Sequence, residues 1–304
     1  MRYLCQLIFQ LTFQLVGALL LSSSIYLTAA AEPKVAVTDV AQTIVIGSKN
    51  FGESYLLSEI AAQLLERQGF AVERRFGLGG TLICYEALRN GEIDFYIEYT
   101  GTLSQAVLKM PGRPTRKEIN AELRTLGLQI LSEIGFNNTY AVAVRESQAQ
   151  ELSLSAIGDL AEYPNLPFAF SHEFLQRGDG WPGLSKLYDL KQKVEGIEHG
   201  LAYQAIADGA IDATDAYSTD GELLRYNLRV LEDSKSYFPA YRAAPLARNN
   251  LSIDVQAALA PLKNLIDDAQ MQQLNAEVVV QGKSFQDVAN EFITSKAKDL
   301  GLAQ

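Results

Sequence analysis

The chain has 304 residues, 48% hydrophobic and 20% charged, a globular composition that excludes disorder, collagen-like repeats and a polytopic membrane protein. Its 26 Lys+Arg against 36 Asp+Glu give a net charge of −10, which repels polyphosphate and argues against nucleic acid as a partner. Two cysteines make no disulfide framework, and two histidines leave little material for metal or triad chemistry. The length predicts about two domains, each able to bury its own core.

Arg2 is the only charge before Glu32, and the apolar run from Leu15 to Leu27 ends in Ala29-Ala30-Ala31. A span needs roughly 20 apolar residues. The run is too short for that and reads as a signal peptide over residues 1–31, with an uncleaved anchor as the alternative. Export to the periplasm or another extracytoplasmic space is the expectation. Thr43-Ile-Val-Ile-Gly-Ser48 then reads as a strand, and Leu56 to Gln68 as a helix with an apolar stripe ended by Gly69. Val72 to Phe76 predicts a strand, Thr81 to Arg89 a helix and Ile93 to Tyr99 a strand. Further strands are expected at Tyr140–Val144, Pro167–Ser171, Ile211–Tyr217 and Arg229–Leu231, and a helix at Leu201–Ala207. Three helices follow over 255–262, 269–280 and 284–296, while Met110–Pro114 and Gly178–Gly183 read as loops. Alternation of this kind implies parallel pairing and an α/β sandwich.

Residues 87–100 match residues 205–218 at a constant offset of 118, with Ala87/Ala205, Gly91/Gly209, Ile93/Ile211, Asp94/Asp212 and Tyr99/Tyr217 coinciding. Each copy reads as a helix end, a glycine turn, a strand and a closing tyrosine. Two lobes built alike follow: residues 43–136 plus 242–304 for the first, and residues 137–241 for the second. Ligands of open α/β sheets bind at the carboxyl ends of strands, so Tyr99 and Tyr217 are expected to meet in one cleft. Tyr140 and Tyr241 stand where the chain would cross between lobes. Aromatic faces attract cations that cannot be hydrogen-bonded, quaternary ammonium above all, and a cage needs three or four rings.

Six motifs resemble a single family: Gly47-Ser-Lys-Asn-Phe-Gly-Glu-Ser-Tyr55, Gly77-Leu-Gly-Gly-Thr-Leu-Ile-Cys-Tyr-Glu-Ala-Leu88, Gly91-Glu-Ile-Asp94 with Glu98-Tyr-Thr-Gly-Thr102, Asn138-Thr-Tyr-Ala141, Asp215-Ala-Tyr-Ser-Thr-Asp220 and Phe238-Pro-Ala-Tyr241. It is the substrate-binding proteins of glycine betaine/choline/carnitine (osmoprotectant) ABC transporters, and the resemblance runs from Thr43 to the C-terminus. It implies an α/β, two-lobed type II periplasmic-binding-protein fold that closes on a trimethylammonium compound held by Tyr99, Tyr140, Tyr217 and Tyr241. Gly52 departs from the motif, which commonly has Thr there. The Gly-Leu-Gly-Gly-Thr variant resembles a subgroup that includes binders of ergothioneine, itself a betaine.

The ligand's carboxylate would need donors. Ser48, Lys49 and Asn50 precede a helix, Gly80 and Thr81 begin another, Thr102 lies beside Tyr99, and Glu173 follows a strand in the second lobe. Asp94 and Asp212, at strand starts, read as structural, and Cys84 as a buried, inert thiol. The expected partners are a betaine- or choline-type small molecule and a membrane permease of an ABC importer. A monomer is expected, with no cofactor, metal or catalytic residue. An enzyme is the rival reading, yet no Cys–His or Ser–His motif supports it. A ligand-sensing receptor domain is the other.

Overall fold

Residues 43–302 are described by a computed structural model, and the leader expected over residues 1–31 lies outside them. The first five strands are β1 (Ile44–Lys49), β2 (Val72–Gly79), β3 (Phe95–Tyr99), β4 (Leu128–Ile130) and β5 (Tyr140–Arg145). The next five are β6 (Phe168–Ser171), β7 (Val194–Ile197), β8 (Thr214–Tyr217), β9 (Leu228–Val230) and β10 (Ala243–Arg248). They form a five-stranded sheet in the order β2-β1-β3-β10-β4, a three-stranded sheet β8-β5-β9 and a two-stranded sheet β6-β7.

Parallel pairing holds for β1 with β2 and β3 and for β6 with β7. Isolated parallel bridges join Phe168 to Ala213 and Ala156 to Glu232, but the remaining strand pairs are antiparallel, which corrects the expectation from element alternation. The chain returns late to insert β10 between β3 and β4, antiparallel to both, and β5 is antiparallel to β8 and β9. β10 escaped the sequence reading because it is alanine-rich and carries Pro245, a residue that normally demotes a strand. Its ladder survives because Pro245 still accepts through its carbonyl, from Leu131 N–H at 2.9 Å. The predicted loop at Gly178–Gly183 is also revised: a helix spans Trp181–Tyr188, with Pro182 in the first turn, where its fixed φ suits a helix start.

The helix expected from Leu56 begins four residues earlier, at Gly52, and runs to Arg67. Its predicted stripe, Leu56, Leu57, Ile60, Ala61, Leu64 and Leu65, is buried throughout. That helix packs against the Phe285–Ser295 helix, with Gln63 Nε2 donating to the Gln286 carbonyl at 3.0 Å. One apolar cluster runs from Ile46 and Phe95 of the large sheet through Tyr99 and Tyr140 to Phe168 and Phe170.

The sequence repeat has a structural counterpart. The Thr81–Arg89 and His199–Ala207 helices are related by the same offset. Gly91 and Gly209, which follow them, have φ of +77° and +75°, the left-handed region where glycine alone carries no penalty. β3 and β8 come next and end on Tyr99 and Tyr217. Asp94 accepts from Val45 N–H and pairs with Arg248, and Asp212 pairs with Arg145, so both aspartates brace strand starts.

Candidate ligand-binding site

Strand register decides which tyrosines meet. Tyr140 opens β5 directly opposite Tyr217, the last residue of β8, and their ring centroids are 5.1 Å apart. Ala243 lies opposite Tyr99 in the large sheet, so Tyr241 stands just before the end of that ladder. Its ring meets Tyr140 edge-on at 5.6 Å and 86°. Phe51 links the remaining pair, 5.6 Å from Tyr217 and 6.3 Å from Tyr99. Gly101 makes room for Tyr241: a Cβ there would sit 2.5 Å from the Tyr241 ring.

These rings line one cavity of about 530 Å³. Ten of the eleven residues singled out in the sequence reach it: the four tyrosines, Lys49, Asn50, Gly80, Thr81, Thr102 and Glu173. Ser48 does not. It sits at an irregularity between β1 and β2 and is fully buried, and its Oγ accepts from Gly77 N–H at 2.8 Å. Lys49 lines the cavity, and its Nζ forms a buried ion pair with Glu98 at 2.7 Å and lies 4.8 Å from the Tyr99 centroid. Glu173 accepts from Thr81 Oγ1 at 3.4 Å and from Arg177 at 3.1 Å, where the cavity meets a second one of about 430 Å³. Cys84 is buried against the Ser48 carbonyl, and desolvation pushes its thiol pKa up to about 12, which keeps it a protonated, unreactive group.

Of the cavity residues that escaped the sequence reading, Arg177, His199 and Glu53 bear most on its chemistry. Arg177 is buried, is held by Asp179 at 2.6 Å, and lies 5.3 Å from the Tyr140 centroid. Its only signal was the four-residue spacing from Glu173 along a short helix. His199 stacks on Tyr217 at 4.6 Å between Asp220, at 3.3 Å, and Asp215, at 3.6 Å. Burial pulls its pKa down, but hydrogen bonding and charge from the two aspartates outweigh that and raise it to about 10, making it a cation at neutral pH. Glu53 lies within the Gly47–Tyr55 motif, and nothing in its spacing marks it as a site residue. Desolvation pushes its carboxyl pKa up, opposed by hydrogen bonds from Thr219, Tyr99 and Asn275.

Tyr99 donates its O–H to Glu53 at 2.6 Å and Tyr241 to Asp179 at 2.5 Å. Burial pushes the hydroxyl pKa of all four tyrosines up, so the rings stay neutral. Three of them already carry a protein cation on one side: Lys49 on Tyr99, Arg177 on Tyr140 and His199 on Tyr217. Each of those cations has a carboxylate partner. The arrangement combines aromatic faces with a guanidinium in one cavity, which suits a small zwitterion.

Residues 42–295 match the family described as the substrate-binding domain of the ABC-type glycine betaine transport system. A glycine-betaine-binding protein of Pseudomonas aeruginosa is 34% identical over 83% of this chain and 88% of its own length. An ergothioneine transport permease/ergothioneine binding protein of Helicobacter pylori is 33% identical over 90% of this chain, which spans 50% of that longer protein. A solved structure described as a glycine betaine/carnitine/choline ABC transporter superposes with a TM-score of 0.70 at 28% identity, covering 84% of this chain and 99% of the other. The chain therefore belongs to the substrate-binding components of betaine-, carnitine- and choline-type ABC importers, with their two-lobed periplasmic-binding fold. Members of this family are solute-binding proteins rather than enzymes.

Proposed function

From that family membership we propose that this chain is the extracytoplasmic solute-binding component of an importer for zwitterionic quaternary-ammonium compounds of the glycine betaine type, and not an enzyme. The supporting observation is that Tyr99, Tyr140, Tyr217 and Tyr241, from four separate segments, line one cavity together with Arg177. The trimethylammonium group would sit among the tyrosine rings and Phe51, each ring contributing about 0.5–2 kcal/mol. Arg177 would receive the carboxylate, assisted by the hydroxyls of Thr81 and Thr102 and the amides at the Gly80 helix start. Asn50 would complete that end. Lys49 and Glu173 would shape the site through Glu98 and Arg177 rather than touch the ligand. Closure would bring residues 43–136 plus 242–304 against residues 137–241, with a leader over residues 1–31 directing export of a monomer that serves a membrane permease.

A second reading, a betaine bearing an additional ring such as ergothioneine, is favoured by one feature. At about 530 Å³ the cavity is roomy, and its wall takes in His199, Tyr203 and Glu222 besides the four tyrosines. Calorimetric titration with glycine betaine, carnitine, choline, ergothioneine and glycine separates the readings. Saturable binding of trimethylammonium zwitterions, with none for glycine, is expected; tight binding of glycine with no response to any betaine would overturn the proposal. Selective binding of ergothioneine would favour the second reading.

A further inference from the structure

A carboxylate removed from water needs a cation or a full set of donors, and donors alone leave its charge in place. Among the described residues seven carboxylates are buried, and six of them have a basic side chain within 4.0 Å. Glu59 has Arg74, Asp94 has Arg248, Glu98 has Lys49, Asp179 has Arg177, and Asp215 and Asp220 share His199. Glu53 has none. It is 2% exposed, stands in the first turn of the Gly52–Arg67 helix, and belongs to the cavity wall.

Its oxygens are fully coordinated by neutral groups. Oε1 accepts from Tyr99 O–H at 2.6 Å and Asn138 Nδ2 at 2.8 Å. Oε2 accepts from Thr219 Oγ1 at 2.5 Å and Asn275 Nδ2 at 2.8 Å. Those donors come from four separate parts of the chain. They fix the carboxylate without cancelling its charge, whereas Asp220, the other buried acid in this wall, is matched to His199.

We propose that Glu53 is the counter-charge for the ligand's cation, a positioning residue that acts through the Tyr99 ring and through its own field in the cavity. The inference rests on the betaine reading above. A phenol that donates to a carboxylate is polarised toward a more negative ring face, so Tyr99 becomes a stronger cation acceptor than an unlinked tyrosine. Because Glu53 is itself buried, the field of its carboxylate is screened far less than that of a surface charge. A bare cation entering this wall completes the pairing that Glu53 lacks.

The test compares two probes of nearly equal shape by calorimetric titration: glycine betaine and 3,3-dimethylbutanoate, in which a quaternary carbon replaces the nitrogen. Wild type is expected to prefer the betaine. Glu53→Gln is expected to lower the betaine-to-isostere affinity ratio by roughly tenfold, with the betaine weakened and the isostere unchanged or improved. A general distortion would weaken both probes together, and an unchanged ratio overturns the proposal. Tyr99→Phe, which keeps the ring and the buried carboxylate but removes the linking O–H, is the second variant. It is expected to lower the ratio by about threefold, equivalent to half of one 1.4 kcal/mol decade. If Glu53→Gln does not fold, an unchanged ratio in Tyr99→Phe overturns the proposal by itself. Wild type that shows no preference for the betaine overturns the betaine reading, and this inference with it.

Discussion

The segments Thr81–Tyr99 and His199–Tyr217 follow one backbone plan at an offset of 118 residues, yet the surroundings of their two tyrosines differ. In the first copy the helix begins with Thr81, and Tyr99 is fully enclosed, its hydroxyl on Glu53 and one side facing the Lys49–Glu98 pair. In the second the helix begins with His199, whose ring stacks on Tyr217 and is held by Asp215 and Asp220. Backbone repetition places two rings at strand ends. The side chains behind them then supply the charges independently: a buried ion pair and an unpaired carboxylate in one copy, a clamped imidazolium in the other.

The largest difference should appear when each copy loses its cation. Lys49→Met strands Glu98, which is wholly buried, and should cost about 3–5 kcal/mol in urea unfolding. His199→Gln leaves Asp215 equally buried but keeps an amide donor beside it, so at neutral pH it should cost less than Lys49→Met; equal losses would break the comparison. Removing the rings themselves comes next. Tyr99→Ala and Tyr217→Ala should each weaken betaine binding by roughly tenfold or more in calorimetry. Tyr99→Ala should do more damage because it also strips a donor from Glu53.

The third difference is in pH. His199 has a folded pKa raised from 6.5 to about 10, so the stability it contributes is fully present below pH 6.5 and is lost as pH rises toward 10. Denaturation measured between those limits should show wild type losing stability relative to His199→Gln. A constant difference across the window would mean that His199 does not titrate there. The smallest effect sharpens the likeness instead. Gly91→Ala and Gly209→Ala both force a side chain into left-handed backbone and should each cost about 1 kcal/mol. Gly91→Ala should cost slightly more, because its Cβ would approach Arg248 at 3.2 Å while Gly209 has open space. A tolerated Gly209→Ala would show that the second turn is not built like the first.

What the sequence made legible was the repeating backbone plan and the residues at its ends. A glycine turn followed by Ile-Asp and a terminal tyrosine signals local geometry, and local geometry carried Tyr99 and Tyr217 to equivalent places. Long-range pairing was not legible. β10 is read as a strand only once β3 and β4 are in place to receive Ala243–Arg248. Neighbouring residues could not be separated either: Ser48 turns to Gly77 and away from the cavity, while Lys49 beside it lines the wall. Arg177, His199 and Glu53 owe their roles to partners distant in sequence, such as Tyr140, Tyr217 and Asn275, and no spacing rule announces such partners.

A crystal structure with glycine betaine locates the bound cation directly. The quaternary nitrogen is predicted within about 6 Å of the ring centroids of Tyr99, Tyr140, Tyr217 and Tyr241. Its carboxylate should turn toward Arg177. A nitrogen found away from those rings, in the part of the cavity lined by Glu222, Val279 and Phe285, would contradict it.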